Sequence, residues 1–363
     1  MRLVLVTQEL DPGHPALAQT VDLARALAQR VDELVVVSRT MRWPDAPANV
    51  VAVTFDAGTQ LARGLAFERA IWPAARGADA VLVHMVPQFA LLAAPAAKLR
   101  RIPLLLWYTH WHASRSLRVA TKVVDAVLSV DRSSYPVPTR KLHAIGHAID
   151  VDRFVAAPPP AQDGPLRLLA LGRTARWKGL DTLLDSIGAV PDVELEIRGP
   201  SLTPDERVHR GELERRIDAD ERLRGRVRLD EAVEREQVPA LIAAADLVVS
   251  PNEPRRGATL DKAVFEAAAC SRPVVSTNAA FSPLLGDLSL PLLARPRDAA
   301  SLAASIRAVA AAPPAERAAA GEVLRRRVVE GHSLEHWADA VISLVREVRS
   351  ASGTAGPGGA GAG

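Results

Sequence analysis

The feature that most constrains the fold of this chain is a repeated alternation of short apolar runs with longer amphipathic stretches. The apolar runs predict strands, and most of the segments between them have helical periodicity. In the first half the predicted strands are Leu3–Val6, Glu33–Val37, Val50–Val53, Ala80–His84, Leu104–Tyr108, Ala126–Val130 and Leu142–Ile145, and the first predicted helix is Pro15–Arg30. Because these runs are almost continuously apolar, they are typical of a parallel sheet covered by helices on both faces. The pattern predicts a doubly wound α/β domain.

A proline-rich segment interrupts the alternation, which then restarts. Residues 156–165 combine a proline run with polar residues and a glycine, as linkers do. Beyond them the predicted strands are Leu166–Leu171, Val193–Ile197, Val227–Leu229, Leu247–Ser250 and Pro273–Ser276. The predicted helices are Gly179–Ile187, Pro204–Leu223, one ending at Ala245, one beginning at Asp261, and then Ala299–Ala311, Ala315–Val329 and Ser333–Val348. We therefore predict Rossmann-like domains at 1–155 and 166–332 and a disordered tail at 351–363.

Cysteine usage and hydropathy limit the compartment and the chemistry. The single cysteine, Cys270, excludes an intrachain disulfide and a cysteine-based zinc site. The apolar runs are far shorter than the ~20 residues of a membrane span, so no membrane-spanning helix is expected. A strand-sized run follows Met1 and Arg2 directly, which disfavours a signal peptide. The histidines have no carboxylate at a fixed ligand spacing, so no metal site is expected. We predict a cytoplasmic protein.

The charge distribution leaves two interpretations open. The net charge of +3 is too small to indicate nucleic-acid binding, but the first 150 residues are basic and the remainder slightly acidic. Arg115, Arg118 and Lys122 share one face of a predicted helix. They fit contact with a phosphorylated acceptor or an anionic membrane surface, but the pattern is more typical of an ordinary solvated face.

The sharpest motif lies within residues 168–184. A buried strand ends at Gly172 and is followed by Arg173, then by Lys178 and Gly179, and then by a helix. Two cations at a strand end beside a helix N-terminus suit a diphosphate, because arginine binds two oxygens, lysine adds a point charge and the helix dipole favours an anion. The alternative is a solvated basic loop.

A second motif lies within residues 247–277. A strand is followed by a loop and by a helix that carries Asp261, Lys262 and Glu266. A carboxylate beside a ligand cleft can accept hydrogen bonds from ribose hydroxyls. Taken alone, Glu266 would more often be an ordinary surface glutamate, and it is the neighbouring cation motif that favours a ligand-binding role.

Together these motifs resemble glycosyltransferase family 4, the retaining, nucleotide-sugar-dependent glycosyltransferases of GT-B fold. The resemblance covers nearly the whole chain. It depends on Gly172-Arg173 with Lys178-Gly179, Ile197–Pro200, Ala245-Asp246 before Val248–Pro251, Glu266–Ala269 with Pro273–Val275, and Ile149-Asp150 with Phe154. It implies two Rossmann-like domains facing across a cleft, with the helix at about 333–348 crossing back to the first. It also implies a nucleotide-sugar co-substrate and neither cofactor nor metal.

The resemblance also implies roles for individual residues. Arg173 and Lys178 match the cations that grip the donor diphosphate, and Glu266 matches the glutamate that binds the donor ribose. His110 matches the histidine close to the donor sugar. The backbone around Gly199 and around Leu229–Glu231 matches the lining of the nucleobase pocket.

This sequence departs from the family pattern at the sugar end of the site. Ala258 stands where the family has a glutamate that holds sugar hydroxyls. Glu253 would replace it if the loop folds back, and Asp261 and Lys262 could take over sugar or phosphate contacts. In the loop after the first strand, Gly13 is the glycine that remains to let backbone approach a phosphate.

The acceptor end offers fewer signals. His84 ends the fourth predicted strand, while His112 and Arg115 follow the fifth, so these three are the acceptor candidates. We predict a hexosyltransferase-type enzyme that transfers a sugar to an unknown acceptor. The absence of the glutamate at position 258 motivates one alternative, a nucleotide-sugar-binding protein without transferase activity. A GT-B sugar-nucleotide epimerase is a further one, disfavoured by few carboxylates near strand ends in the first domain. A nicotinamide-dependent dehydrogenase is disfavoured by the lack of G-x-G-x-x-G after the first strand.

Overall fold

The computed structural model describes residues 1–14, 17–159, 164–253 and 260–353, and the chain forms two compact units. The first unit comprises Met1–Ala148 and the C-terminal segment from Ser333; the second comprises Ile149–His332. Residues 149–155, predicted in the first domain, pack in the second unit. The Ile149 amide donates to the His332 carbonyl, and the Arg325 guanidinium donates to the Phe154 carbonyl at 2.8 Å.

The first unit is built on a seven-stranded parallel sheet with the order β5-β3-β1-β6-β7-β8-β9. Its strands are β1 Arg2–Val6, β2 Glu9–Leu10, β3 Glu33–Ser38, β4 Thr40–Met41, β5 Val50–Thr54, β6 Ala80–His84, β7 Leu104–Trp107, β8 Ala126–Ser129 and β9 Leu142–Ala144. Its helices are α1 Gln19–Ala28, α2 Gln60–Ala74, α3 Pro87–Arg100 and α4 Arg115–Val123. Strands β2 and β4 form a separate parallel pair. The central strands are almost completely buried, which is why their sequences are continuously apolar.

The second unit is built on a five-stranded parallel sheet with the order β12-β11-β10-β13-β14. Its strands are β10 Leu166–Leu171, β11 Val193–Arg198, β12 Val227–Asp230, β13 Leu247–Ser250 and β14 Val274–Ser276. Its helices are α5 Leu180–Gly188, α6 Pro204–Ala219, α7 Val238–Ala244, α8 Lys262–Ala269, α9 Ser282–Leu285, α10 Ala299–Ala311 and α11 Pro314–His332. Short 3-10 turns lie at Arg176–Lys178, Arg235–Gln237 and Ala279–Phe281.

The last helix, α12 (Leu334–Gly353), returns the chain to the first unit. It packs on α1, and Trp337, which is fully buried, meets Trp107 of β7 edge to face. An ion pair between Arg30, in the turn after α1, and Asp339 of α12 (2.5 Å) adds to this contact at the surface. Aromatic burial of this kind fixes α12 on the first sheet.

Each sheet reverses its strand order beside its first strand, between β1 and β6 and between β10 and β13. In open parallel sheets ligands bind outside the carboxyl ends of the strands at such switch points. The segments after β1, β6, β10 and β13 are therefore where a site is expected. They contain His84 and the loop that begins at Gly172.

The predicted α/β alternation is confirmed, and several predicted bounds are wrong. Helix α6 ends at Ala219 because Asp220 leaves the helical conformation and begins a turn that feeds β12. Helix α1 begins at Gln19; of its predicted start, residues 15 and 16 lie outside the described residues. The predicted tail is helical through Gly353, and its residues 354–363 lie outside the described residues, as do 160–163 of the predicted linker. In the described part of the chain no helix combines the length and apolar character that crossing a membrane requires.

Candidate functional site

Two glycines shape the loop between β10 and α5. Gly172 has φ +142° and Gly179 has φ +68°, values that side-chain-bearing residues rarely adopt. A Cβ on Gly172 would press on the Lys178 ammonium group at 3.0 Å, and a Cβ on Gly179 would overlap the Pro251 carbonyl oxygen. The two glycines thus bring Lys178 back over the end of β10 and seat the loop against the segment after β13.

Lys178 lies in a polar cluster that links this loop to the N-terminus of α8. Its Nζ is 2.6 Å from Oδ2 of Asp261, and the side chains are 10% and 15% exposed. The same oxygen accepts a hydrogen bond from the Asn252 amide at 3.0 Å. Burial alone would raise the pKa of Asp261, but the Lys178 ammonium and the hydrogen bonds outweigh it and hold the pKa below its ordinary value. The predicted phosphate-binding lysine therefore has an internal counter-ion.

Arg173 is held by α6. Its Nη2 lies 2.5 Å from Oε1 of Glu206, which is nearly buried and also accepts the backbone amide of Leu202 at 2.7 Å. Glu206 and Thr203 form a capping box at the start of α6. Burial would raise the pKa of Glu206, but Arg173 and the backbone amides lower it overall. The Arg173 side chain is 41% exposed, so its guanidinium remains accessible to a ligand.

The remaining predicted donor residues on α8 pair with each other. Lys262 Nζ lies 3.1 Å from Oε1 of Glu266, one helical turn away, and Glu266 is 14% exposed. Glu253 instead forms an ion pair with Arg297 at 2.7 Å. The carboxylate of Glu253 therefore pairs with Arg297 and not with Lys178, which pairs with Asp261. Ala258 lies outside the described residues.

The predicted nucleobase-lining backbone is organised by Arg210 of α6. Its guanidinium donates to the carbonyl of Gly199, directly after β11, at 3.3 Å and to the carbonyl of Leu229, within the adjacent β12, at 3.1 Å. A Cβ on Gly199 would overlap the Gly172 carbonyl oxygen, so the glycine permits the close approach of β10 and β11 at this edge. Glu231 is mostly exposed, with Oε1 3.4 Å from Arg210.

In the first unit, His84 ends β6 at the switch point. Its Nδ1 lies 3.2 Å from the Thr7 hydroxyl after β1, and burial lowers the pKa of His84 to about 4. The imidazole is therefore neutral at pH 7. His84 lines a cavity of roughly 200 Å³ together with Gln19, Trp107 and Thr109.

The other candidates of the first unit occupy exposed turns. The His112 amide donates to His110 Nδ1 (3.2 Å), so a neutral His110 carries its proton on Nε2. Burial, and secondarily His112, lower the pKa of His110. Arg115 begins α4 and is exposed, while the Gly13 amide donates to the Asp11 carboxylate at 2.8 Å. The structure brings His110 and His112 together but leaves Gly13 with its amide already engaged.

Sequence reasoning missed the face of α6 that meets this loop. Glu206, His209 and Arg210 stand at i, i+3 and i+4 of one helix and respectively contact Arg173, the Thr174 carbonyl and the backbone after β11. The pattern Thr203-x-x-Glu206 in the sequence indicates the start of a helix. It does not indicate that this helix contacts the loop after β10. Among the described residues, no group of three or more histidine, cysteine or acidic side chains is arranged to hold a metal.

A larger cavity of about 810 Å³ lies at the opposite end of the second sheet. It is lined by the starts of β10 and β11 and by Arg307 of α10. It also borders residue 164, where the described chain resumes. The amino ends of parallel strands are not where doubly wound sheets bind ligands. We therefore do not assign this cavity to the site.

Comparison with known proteins identifies the class of this fold. Residues 165–312, less than half of the chain, match the family model described as Glycosyl transferases group 1. A search of curated protein sequences finds no significant match.

Solved structures match over nearly the whole chain. Sucrose-phosphate synthase from Thermosynechococcus elongatus matches with a TM-score of 0.75 and 18% identity over 96% of this chain and 99% of that one. Anabaena HepE in complex with UDP-glucose gives 0.71 and 18% over 97% and 100%. A glycosyltransferase from Rickettsia africae gives 0.75 and 14% over 96% and 98%. The predicted GT-B fold is confirmed.

Proposed function

We propose that this protein is a glycosyltransferase that moves a sugar from a nucleoside-diphosphate sugar to an acceptor, with retention of configuration as the family resemblance implies. The observation that carries the proposal is the loop from Gly172 to Gly179. It places Arg173 and Lys178 at the carboxyl end of β10, at the switch point of the sheet. The match of residues 165–312 to the glycosyltransferase model supports it.

In this proposal the two cations stabilise the leaving group. Negative charge collects on the nucleoside diphosphate as the bond between the sugar's anomeric carbon and the diphosphate oxygen breaks. Preorganised cations therefore bind the transition state more strongly than the ground state. Glu266 would accept hydrogen bonds from the donor ribose, and His110 would lie near the donor sugar. The backbone near Gly199 and Glu231 would border the nucleobase.

The ion pairs of the ligand-free site shape how the donor binds. Lys178 is paired with Asp261 and Arg173 with Glu206. A diphosphate must therefore share these cations with carboxylates. Arg173 is well placed to do so because its guanidinium has five donors and Glu206 uses one side of it. Lys178 has a single charged centre, so its exchange with the diphosphate is the more demanding of the two.

Uridine nucleotides are the first ligands to test, because HepE, which shares the fold, was solved with UDP and with UDP-glucose. The experiment is calorimetric titration of the protein with UDP, GDP and ADP and with their glucose conjugates. We expect binding of one nucleotide family, weakened at least about tenfold by Arg173→Ala or Lys178→Ala. Arg176→Ala is the matched control, since Arg176 lies in the same loop but pairs at the surface with Glu212.

Turnover separates the proposal from its alternative. A nucleotide-sugar-binding protein would bind the donor without releasing nucleoside diphosphate in the presence of any acceptor. A transferase releases it, and loss of one leaving-group cation should lower kcat by about 10²- to 10³-fold, as removal of an oxyanion donor does. Failure of every nucleotide to bind the native protein would contradict both.

We also propose that α4 contacts anionic groups on the acceptor side. In this proposal the protein is cytoplasmic and binds peripherally to an anionic membrane surface through the same helix. Arg115, Arg118 and Lys122 are exposed along this helix, and Val119 between them is 50% exposed. A basic face with an exposed apolar residue suits the interface of an anionic lipid layer. His84 and His112 stay acceptor candidates.

A further inference from the structure

Trp177 lies in the loop from Gly172 to Gly179 and has no part in the proposed reaction. It precedes Lys178 in the 3-10 turn Arg176–Lys178, and its side chain is partly buried. The Nζ of Lys178 lies over the indole ring, 4.8 Å from the ring centroid. At this distance the negative face of an aromatic ring attracts an ammonium group.

The backbone on both sides of Lys178 is fixed to the segment after β13. The Trp177 carbonyl accepts a hydrogen bond from the Glu253 amide at 2.8 Å. On the other side, Gly179 approaches the Pro251 carbonyl oxygen so closely that a Cβ on the glycine would lie 1.9 Å from it. The indole ring is therefore attached to a turn whose backbone is held at two points.

The ammonium of Lys178 has two neighbours of different kinds. Asp261 forms an ion pair with it at 2.6 Å, and the Lys178 side chain is 10% exposed. Removing an ammonium from water is unfavourable unless other groups replace its hydration. Asp261 replaces part of that hydration, but its negative charge also repels a phosphate. The indole ring attracts the ammonium through its quadrupole and carries no net charge, so the positive charge stays available to an anionic ligand.

The ring also limits where the ammonium can lie. A Cβ on Gly172 would be 3.0 Å from both Cε and Nζ of Lys178, so the end of this side chain lies against the backbone at the carboxyl end of β10. A lysine side chain is flexible, and its ammonium keeps one position only where its surroundings hold it. When a diphosphate replaces Asp261 as the partner of Nζ, the contact with the ring does not have to be given up.

We propose that Trp177 is a positioning residue for the donor diphosphate, because its indole ring holds the Lys178 ammonium at the carboxyl end of β10 and so raises the affinity for nucleoside diphosphates. The inference rests on the proposed function, since it assumes that Lys178 binds a diphosphate. Trp177 acts through Lys178 and needs no contact with the ligand. The affinity for a nucleoside without phosphate should therefore not depend on the ring.

Calorimetric titration with UDP and with uridine tests the role of the ring. Trp177→Leu removes the aromatic face and keeps an apolar side chain, and we expect it to weaken UDP binding by about tenfold. Trp177→Phe keeps an aromatic face and should weaken UDP binding by about threefold or less. Uridine should bind both variants as it binds the native protein. Trp72→Leu is the matched control, because the Trp72 ring lies 4.7 Å from the Arg100 guanidinium in the first unit, and it should not change UDP affinity.

A double-mutant cycle tests whether the ring acts through Lys178. In a Lys178→Met background the ammonium is absent, so Trp177→Leu should not weaken UDP binding further. A ring that contacts the ligand directly, or that only supports the fold of the loop, would give the same loss in both backgrounds.

Fluorinated tryptophan at position 177 tests the same contact without a change of packing. Fluorine weakens the negative face of the indole with little change in its size, so UDP affinity should fall as fluorine atoms are added. This measurement remains decisive if melting curves show that Trp177→Leu does not fold.

The outcomes separate the two hypotheses. Equal losses in the native and the Lys178→Met backgrounds, or UDP affinity unaffected by fluorination, would overturn the role of Trp177 and leave the proposed function standing. Weaker uridine binding by Trp177→Leu would place the ring on the nucleoside and would also overturn the role. Absence of binding of UDP and of the other nucleotides to the native protein would overturn the proposed function, and the role of Trp177 with it.

Discussion

The ion pair of Lys178 with Asp261 predicts that a carboxylate competes with the donor diphosphate for the same ammonium group. The variant that tests this is Asp261→Asn, which keeps the size of the side chain and removes its charge. Asn252 can still donate to the new amide oxygen. We expect the variant to bind UDP more tightly than the native protein does.

The magnitude depends on the geometry of the pair. Nζ of Lys178 is 2.6 Å from Oδ2 of Asp261, and both side chains are largely buried. A phosphate oxygen bonded to the other side of Nζ would lie about 5 Å from that carboxylate oxygen, where two unit charges repel by about 3 kcal/mol at an effective dielectric constant of about 20. Screening by salt and water removes part of this repulsion, so we expect a gain between about 1.4 and about 2.8 kcal/mol, or about tenfold to hundredfold in affinity.

Calorimetry with three ligands distinguishes the explanations. Uridine, which has no phosphate, should bind Asp261→Asn and the native protein equally. UDP should bind the variant more tightly, while Asp185→Asn should show no gain although it removes the same charge from the surface of the unit. Unchanged or weaker UDP binding by Asp261→Asn would refute the competition. Weaker binding of UDP-glucose with unchanged UDP would instead place Asp261 on the sugar hydroxyls, as a substitute for the glutamate missing at position 258.

Three further predictions concern other parts of the molecule. Gly199→Ala would drive a Cβ into the Gly172 carbonyl, so we expect about 1–3 kcal/mol of destabilisation and weaker UDP binding, whereas Gly211→Ala, in open space on α6, should not lower the melting temperature. His84, whose pKa is about 4 in the fold, stays neutral at pH 5 while the unfolded chain, with a histidine pKa of about 6.5, takes up a proton. Stability should therefore fall by up to about 2 kcal/mol between pH 8 and pH 5, and melting curves of His84→Gln should lack this part of the loss. Replacing Arg115 by glutamate should reduce co-sedimentation with anionic vesicles and leave zwitterionic ones unaffected; equal binding to both would contradict the proposed membrane contact.

The strands were predictable because burial on both faces leaves a direct record in the sequence. Continuous apolar runs such as Ala80–His84 and Leu166–Leu171 coincide with β6 and β10. The two-residue strands β2 and β4 were not predicted, because strands this short form without an apolar run that could be recognised in the sequence. The end of α6 was predicted too late because the sequence stays polar and helix-compatible beyond Ala219. The stop comes from the extended conformation at Asp220 and not from a glycine or a proline.

The proposed site was predictable in position but not in its pairing. Glycines and cations at a strand end indicate a loop that can hold phosphate, and the structure places Arg173 and Lys178 in that loop. The partners of these cations lie far along the chain, Glu206 on α6 and Asp261 before α8. A spacing argument cannot find them, since long-range ion pairs depend on how helices pack and not on local periodicity.

Helix α6 buries polar groups that its sequence pattern would place in solvent. Its sequence is strongly charged all round, which is typical of a solvated surface helix, yet Glu206 and His209 are buried in it. Burying such groups is costly unless each is fully bonded, and here each is bonded to the loop after β10. The cost would be avoided by apolar residues at both positions if α6 had only to cover the sheet. Apolar side chains would leave Arg173 and the Thr174 carbonyl without these partners, so the polar face of α6 is explained by the loop it holds and not by the stability of the helix.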